Sequence, residues 1–88
     1  MATASSTISS SFPAAAAING DRRGLNWGNG GGWNDSTQNI YPDWLQVDFS
    51  ALRTINEIDV FTLQDGAQNL DPTDTMTFSQ YGITAFDV

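Results

Sequence analysis

"PDWLQVDFSALRTINEIDVF", Pro42 to Phe61, is the stretch that decides the fold class. Its first half alternates. Leu45, Val47 and Phe49 fall on one face and Trp44, Gln46 and Asp48 on the other, the period of a half-buried β-strand. After a short turn around Ser50 to Arg53 the pattern resumes as "TINEIDVFTLQ", with Ile58 and Val60 on one face and Phe61 and Leu63 on the other. Working outward, "TMTFSQ" (75–80) and "GITAFDV" (82–88) are two further β-rich runs parted by Tyr81-Gly82, and "STISSSF" (6–12) is a weaker strand candidate. The only helix-friendly stretch is Pro13 to Ile18, where Pro13 suits a first-turn position and Gly20 stops the turn. Two long segments rich in Gly, Asn, Asp and Pro, 19–42 and 65–74, separate the strands. Short strands joined by long polar loops predict an all-β domain, a β-sandwich or jelly roll.

The 88 residues make one small domain, 1–88, with little interior to bury. There is no cysteine, so disulfides and thiolate chemistry are excluded. The net charge is −7, from ten acidic residues against three arginines, with no lysine and no histidine. Nucleic-acid binding rests on neutralising phosphates with basic side chains, so this balance argues against it, and an anionic membrane would repel the chain. Cations and neutral polar ligands fit the charge. No apolar run approaches the roughly 20 residues of a membrane span, and "MATASSTISS" lacks the basic region of a signal peptide. A strand pattern still running at Val88 predicts that the last strand, and its partner, are completed from outside the chain.

In order, "AAAAINGDRRGLNW" (14–27), "PDWLQVDFSALRTINEIDVF" (42–61) and "YGITAFDV" (81–88) resemble the first half of a discoidin domain, the coagulation factor 5/8 type C family. The family pattern falls on Ala17, on Asn19-Gly20-Asp21, on Trp27, on Trp44 to Phe49, and on Ile55, Ile58 and Val60. The resemblance implies a galactose-binding-like jelly-roll β-sandwich, here in truncated form, since whole family domains run to about 140–150 residues. It implies closure of the open interior by a second chain, with a homodimer favoured because an uncovered sheet is adhesive. It also implies an extracellular or cell-surface setting.

"NWGNGGGWND", 26–35, places two tryptophans around four glycines. In discoidin-like carbohydrate-binding modules sugars sit at the loop end, with aromatic faces on the apolar face of the ring and polar side chains on its hydroxyls, an arrangement suited to a neutral, hydroxyl-rich ligand. Trp33, Asn34, Asp35, Arg22, Arg23 and Tyr41 supply both parts and are the candidate ligand-binding residues. The alternative for Trp33 is that it folds back to plug its own loop, the glycines allowing the tight path. The turn Asn19-Gly20-Asp21 resembles the family's calcium loop, and Asn19, Asp21 and Asn26 could in part supply hard oxygen ligands. Here Asn19 stands where the family has aspartate, and the turn reads equally as a polar turn with Asp21 bonded to its own backbone. The second acidic loop, "QDGAQNLDPTD" (64–74), reads as a solvated connection.

Without His, Cys or Lys the usual nucleophile–base pairs cannot be assembled, and no lysine follows the glycine run to make a phosphate loop. A carboxylate pair acting on a glycoside is the one catalytic class left open, but scattered loop aspartates serve solubility far more often. Asn34-Asp35-Ser36 matches a glycosylation sequon. Two functions follow: a non-catalytic, lectin-like carbohydrate-binding module, or a structural module whose half jelly roll self-associates.

Overall fold

The computed structural model describes residues 1–88, apart from the surroundings of the Ala67 side chain. Two short strands, β1 (Ala2–Ala4) and β2 (Leu45–Val47), pair antiparallel in the register Ala2↔Val47, Thr3↔Gln46 and Ala4↔Leu45. The ladder extends a step beyond each end. Met1 and Asp48 exchange bonds, Asp48 N–H to Met1 O at 2.8 Å and the terminal ammonium to Asp48 O at 2.9 Å, and Ser5 N–H donates to Trp44 O at 2.9 Å. A 3-10 turn, Ala14–Ile18, follows Pro13, as its Pro-Ala composition predicts, and a second short turn, Asp65–Ala67, is broken by the left-handed Gly66 (φ 72°).

The strand in the deciding stretch is therefore present, over the three residues Leu45–Val47 rather than the whole alternating run 44–49. The candidate strand at 6–12 is not. Its serines offer the backbone a local partner, with Ser11 N–H on Ser9 Oγ and Phe12 N–H on Ser9 O, and they make turns instead. The pairing strand is the Ala-Thr-Ala segment just before them. The runs at 54–64, 75–80 and 82–88 also form no ladder. A strand exists only against a neighbour that takes its N–H and C=O groups, and among the described residues 50–63 make no backbone–backbone hydrogen bond at all.

The interior reflects this. Among the described residues the only buried apolar side chain is Ala16. Ile58, Val60, Phe61, Ile83 and Phe86, the apolar faces expected to fill a sandwich, are each at least 44% exposed. An open cleft of about 560 Å³ runs between the 57–62 and 72–86 segments, lined by Ile58, Val60, Phe61, Met76, Phe78 and Phe86 among others. What orders the chain is a set of side-chain staples between loops, and these position the site.

Candidate functional site

The first wall of the site follows the Ala14–Ile18 turn. Asn19 Oδ1 accepts the Asp21 N–H at 2.8 Å, and the Asp21 carboxylate accepts the N–H groups of Arg23 (3.0 Å) and Leu25 (2.7 Å). These amides, that of Arg23 foremost, hold the Asp21 carboxyl below the ordinary aspartate value against the opposing effect of partial desolvation. The turn so fixed carries Arg23 and Gly24 and delivers Trp27. The Trp27 ring stands edge-on to Phe12, centroids 5.1 Å apart at 66°, a pairing worth about 0.5–1.5 kcal/mol beyond its burial.

The glycine run explains itself from here. A Cβ on Gly32 would collide with Cζ3 and Cε3 of Trp27, and one on Gly31 with the carbonyl of Leu25. The loop returns over its own first tryptophan so closely that only glycine fits. It is then stapled to the segment after β1. Trp33 donates its indole N–H to Ser6 O at 2.9 Å, Asn34 O accepts the Ile8 N–H at 2.9 Å, and Ser36 N–H donates to Ser6 Oγ at 3.0 Å.

The opposite wall comes from the second acidic loop. Gln64, the only buried polar side chain among the described residues, clasps the backbone of Leu70. Its Nε2 donates to Leu70 O at 2.6 Å and its Oε1 accepts Leu70 N–H at 3.0 Å. This closes the loop that carries Asn69, itself in the left-handed conformation (φ 53°) that asparagine tolerates. Asp65 accepts from Ser79 N–H and Ser79 Oγ, both at 2.7 Å, and from Gln80 N–H at 3.1 Å. The Ser79 amide and hydroxyl lower its carboxyl below the ordinary value and set Tyr81 beside the loop.

Between these walls lies a cavity of about 360 Å³ lined by Arg23, Gly24, Trp27, Asn34, Leu63, Gln64, Asn69 and Tyr81. The polar groups in and around it divide into committed and uncommitted ones. Asp21, Asp35, Asp43, Asp65 and Gln64 are all engaged by neighbouring groups. Among the described residues, the side-chain amides of Asn34 and Asn69, the Tyr81 hydroxyl and the terminal nitrogens of Arg23 hold no hydrogen-bond partner, while Arg23 Nε donates to Asn69 O at 3.1 Å. Two aromatic side chains with uncommitted amides, a hydroxyl and a guanidinium can take a small, flat, polyhydroxylated ligand.

Of the six candidate ligand residues, Arg23 and Asn34 line this cavity. Trp33 is half-buried with its N–H spent on Ser6. Asp35 caps Thr37 through the Thr37 N–H at 2.8 Å, and Arg22 lies in a bidentate pair with Asp71 at 2.9 and 3.1 Å, against the apolar cleft. Tyr41 is exposed and apart from the cavity. The candidate ligand residues include neither Trp27, Asn69 nor Tyr81. The signal for Tyr81 was its place between two β-rich runs, where a loop-end aromatic would fall. Asn69 gave none, because only the Gln64–Leu70 clasp brings it across. Of the candidate calcium set, Asn19 Oδ1 accepts the Asp21 N–H, both Asp21 oxygens accept backbone amides, and Asn26 O accepts from Asn29 and Gly31. No cluster of three acidic metal-ligating residues occurs among the described residues, and no helix is long and apolar enough to cross a membrane.

Among the comparisons with known proteins, a family model described as the F5/8 type C domain matches residues 1–79. No curated protein and no solved structure matches the chain.

Proposed function

Since the chain belongs to the F5/8 type C, or discoidin, family, we propose that it is a non-catalytic carbohydrate-binding module and that the Trp27–Tyr81 cavity receives the sugar. Domains of this family are generally carbohydrate- or lipid-binding modules without catalytic activity, and typically extracellular. The observation that carries the reading is the cavity, where two aromatics meet uncommitted side-chain amides. Lipid is disfavoured because a net charge of −7 repels anionic headgroups. In this proposal the galactose-binding-like β-sandwich is the framework into which β1 and β2 are set. No step depends on calcium.

Glycan-array binding followed by isothermal titration tests it. The wild type binds a defined sugar set, and Trp27→Ala and Tyr81→Ala each weaken binding at least tenfold, about 1.4 kcal/mol. Tyr81 is 58% exposed, so its replacement leaves folding largely intact. No glycan bound, or affinity untouched by both changes, contradicts the reading.

A second reading has its own support. The accessible surface is 7023 Å², against about 5,000 Å² for a folded protein of this mass. The difference, about 2,000 Å², lies well above the roughly 800 Å² that each partner buries in a standard interface. We infer that the apolar cleft of Ile58, Val60, Phe61, Phe78 and Phe86 is covered by a second copy of the chain, which completes the sandwich. Light scattering at micromolar concentration returns twice the chain mass on this reading. A folded monomer overturns it without touching the sugar site.

A further inference from the structure

The three arginines stand in different circumstances. Arg22 is neutralised by Asp71, and Arg53 bonds the carbonyl of adjacent Leu52 on the open surface. Arg23 lines the cavity, spends only Nε on Asn69 O, and has no carboxylate within salt-bridge distance among the described residues. The chain carries ten acidic residues, yet none lines this cavity. Of the four carboxylates within two residues of a lining residue, Asp21, Asp35 and Asp65 have oxygens turned onto backbone N–H groups, of Arg23 and Leu25, of Thr37, and of Ser79 and Gln80, and Asp71 pairs with Arg22. Arg23 is thus the one charged side chain that lines the cavity.

We propose, on the carbohydrate-binding reading of the same site, that the cavity prefers an acidic sugar, a hexuronic acid whose C6 carboxylate pairs with the terminal nitrogens of Arg23 while the ring lies between Trp27 and Tyr81. The planar guanidinium fork matches a carboxylate in two parallel bonds, and charge-assisted bonds are shorter and stronger than neutral ones. The net charge of −7 opposes the approach of an anion. At physiological ionic strength charges farther than about 8 Å are largely screened, so the contacting guanidinium outweighs the distant carboxylates, while Asp21, in Coulombic contact with Arg23, opposes the anion in part. Arg23 is exposed, which places the gain near the lower end for a charged hydrogen bond, about tenfold in affinity.

The test compares sugars that differ only at C6: methyl glucuronide with methyl glucoside, and methyl galacturonide with methyl galactoside. Each is titrated against the wild-type chain, Arg23→Gln and Tyr81→Ala at low salt and at about 0.5 M NaCl, where the Debye length shrinks to a few ångströms. In at least one pair the acidic sugar binds about tenfold more tightly, high salt narrows the difference, and Arg23→Gln weakens the acidic sugar by about tenfold more than its neutral partner, so that the preference disappears. The wild-type salt dependence gives this readout even if Arg23→Gln fails to fold. Equal or tighter binding of the neutral sugar in both pairs, with Tyr81→Ala still abolishing it, overturns the preference and leaves the site standing. An acidic preference that survives in a folded Arg23→Gln overturns the role of Arg23. Binding of none of the four, or binding indifferent to Tyr81→Ala, removes the site and the preference together.

Discussion

Gly32 lies against the indole of Trp27, with no room for a Cβ. Gly32→Ala therefore pushes the ring out of its place, costing about 1–3 kcal/mol and deforming the cavity wall. The variant should show red-shifted tryptophan emission and weakened sugar binding, and an unchanged spectrum would contradict the packing. Asp65 offers a second test at this scale. Its carboxyl is lowered in the folded chain by the Ser79 amide and hydroxyl, so its contribution is whole above the ordinary value of 3.8 and is lost as pH falls through the lower folded value. The amide resonances of Ser79 and Gln80 should titrate with a midpoint below 3.8, and Asp65→Asn should abolish that titration. A midpoint at or above 3.8 would refute the clamp. Residue chemistry was readable in part. The glycine run signalled close backbone approach, and Arg23 and Asn34 reached the cavity. Asn69 could not be read, because its place depends on a clasp formed at another residue.

At the scale of elements, the staples matter more than the ladder. Asp43 Oδ1 accepts from Ser5 Oγ at 3.0 Å and Thr37 Oγ1 at 3.1 Å, and Ser5 Oγ in turn accepts the Trp44 N–H, so one carboxylate joins the end of β1, the start of β2 and the 33–37 loop. Asp43→Ala should cost about 1–2 kcal/mol and raise hydrogen exchange at Ile8 and Ser36, whose amides bind across this junction. Exchange unaltered at both would show that the loop is held without Asp43. The alternation of Leu45 and Val47 made β2 readable, and Pro13 with its alanines made the first 3-10 turn readable. β1 was misplaced because Ala2–Ala4 carries no strand signature of its own and is a strand only through its register with β2. The later runs hold β composition without partners, and composition alone cannot supply one.

The whole molecule has a radius of gyration of 13.3 Å, where about 12 Å is expected of a close-packed domain of this length. That expansion, the excess accessible surface and the nearly empty core have one cause: apolar faces patterned for a sandwich lie open to solvent. Covering them raises stability, so the thermal midpoint should climb with chain concentration if a second copy is the cover, and stay constant if it is not. Family membership was legible at this scale through the ordered motifs, and the extent of closure was not. The central claim concerns the sugar site, and the most direct measurement is a two-dimensional ¹H–¹⁵N titration of the labelled chain with its best glycan. The account predicts shifts concentrated at the Gly24 amide, the Trp27 indole, the Asn34 and Asn69 side-chain amides and the Tyr81 amide, with Tyr41 and Arg22 unmoved. Shifts centred on Tyr41 or Arg22, or a spectrum indifferent to every glycan offered, would contradict it.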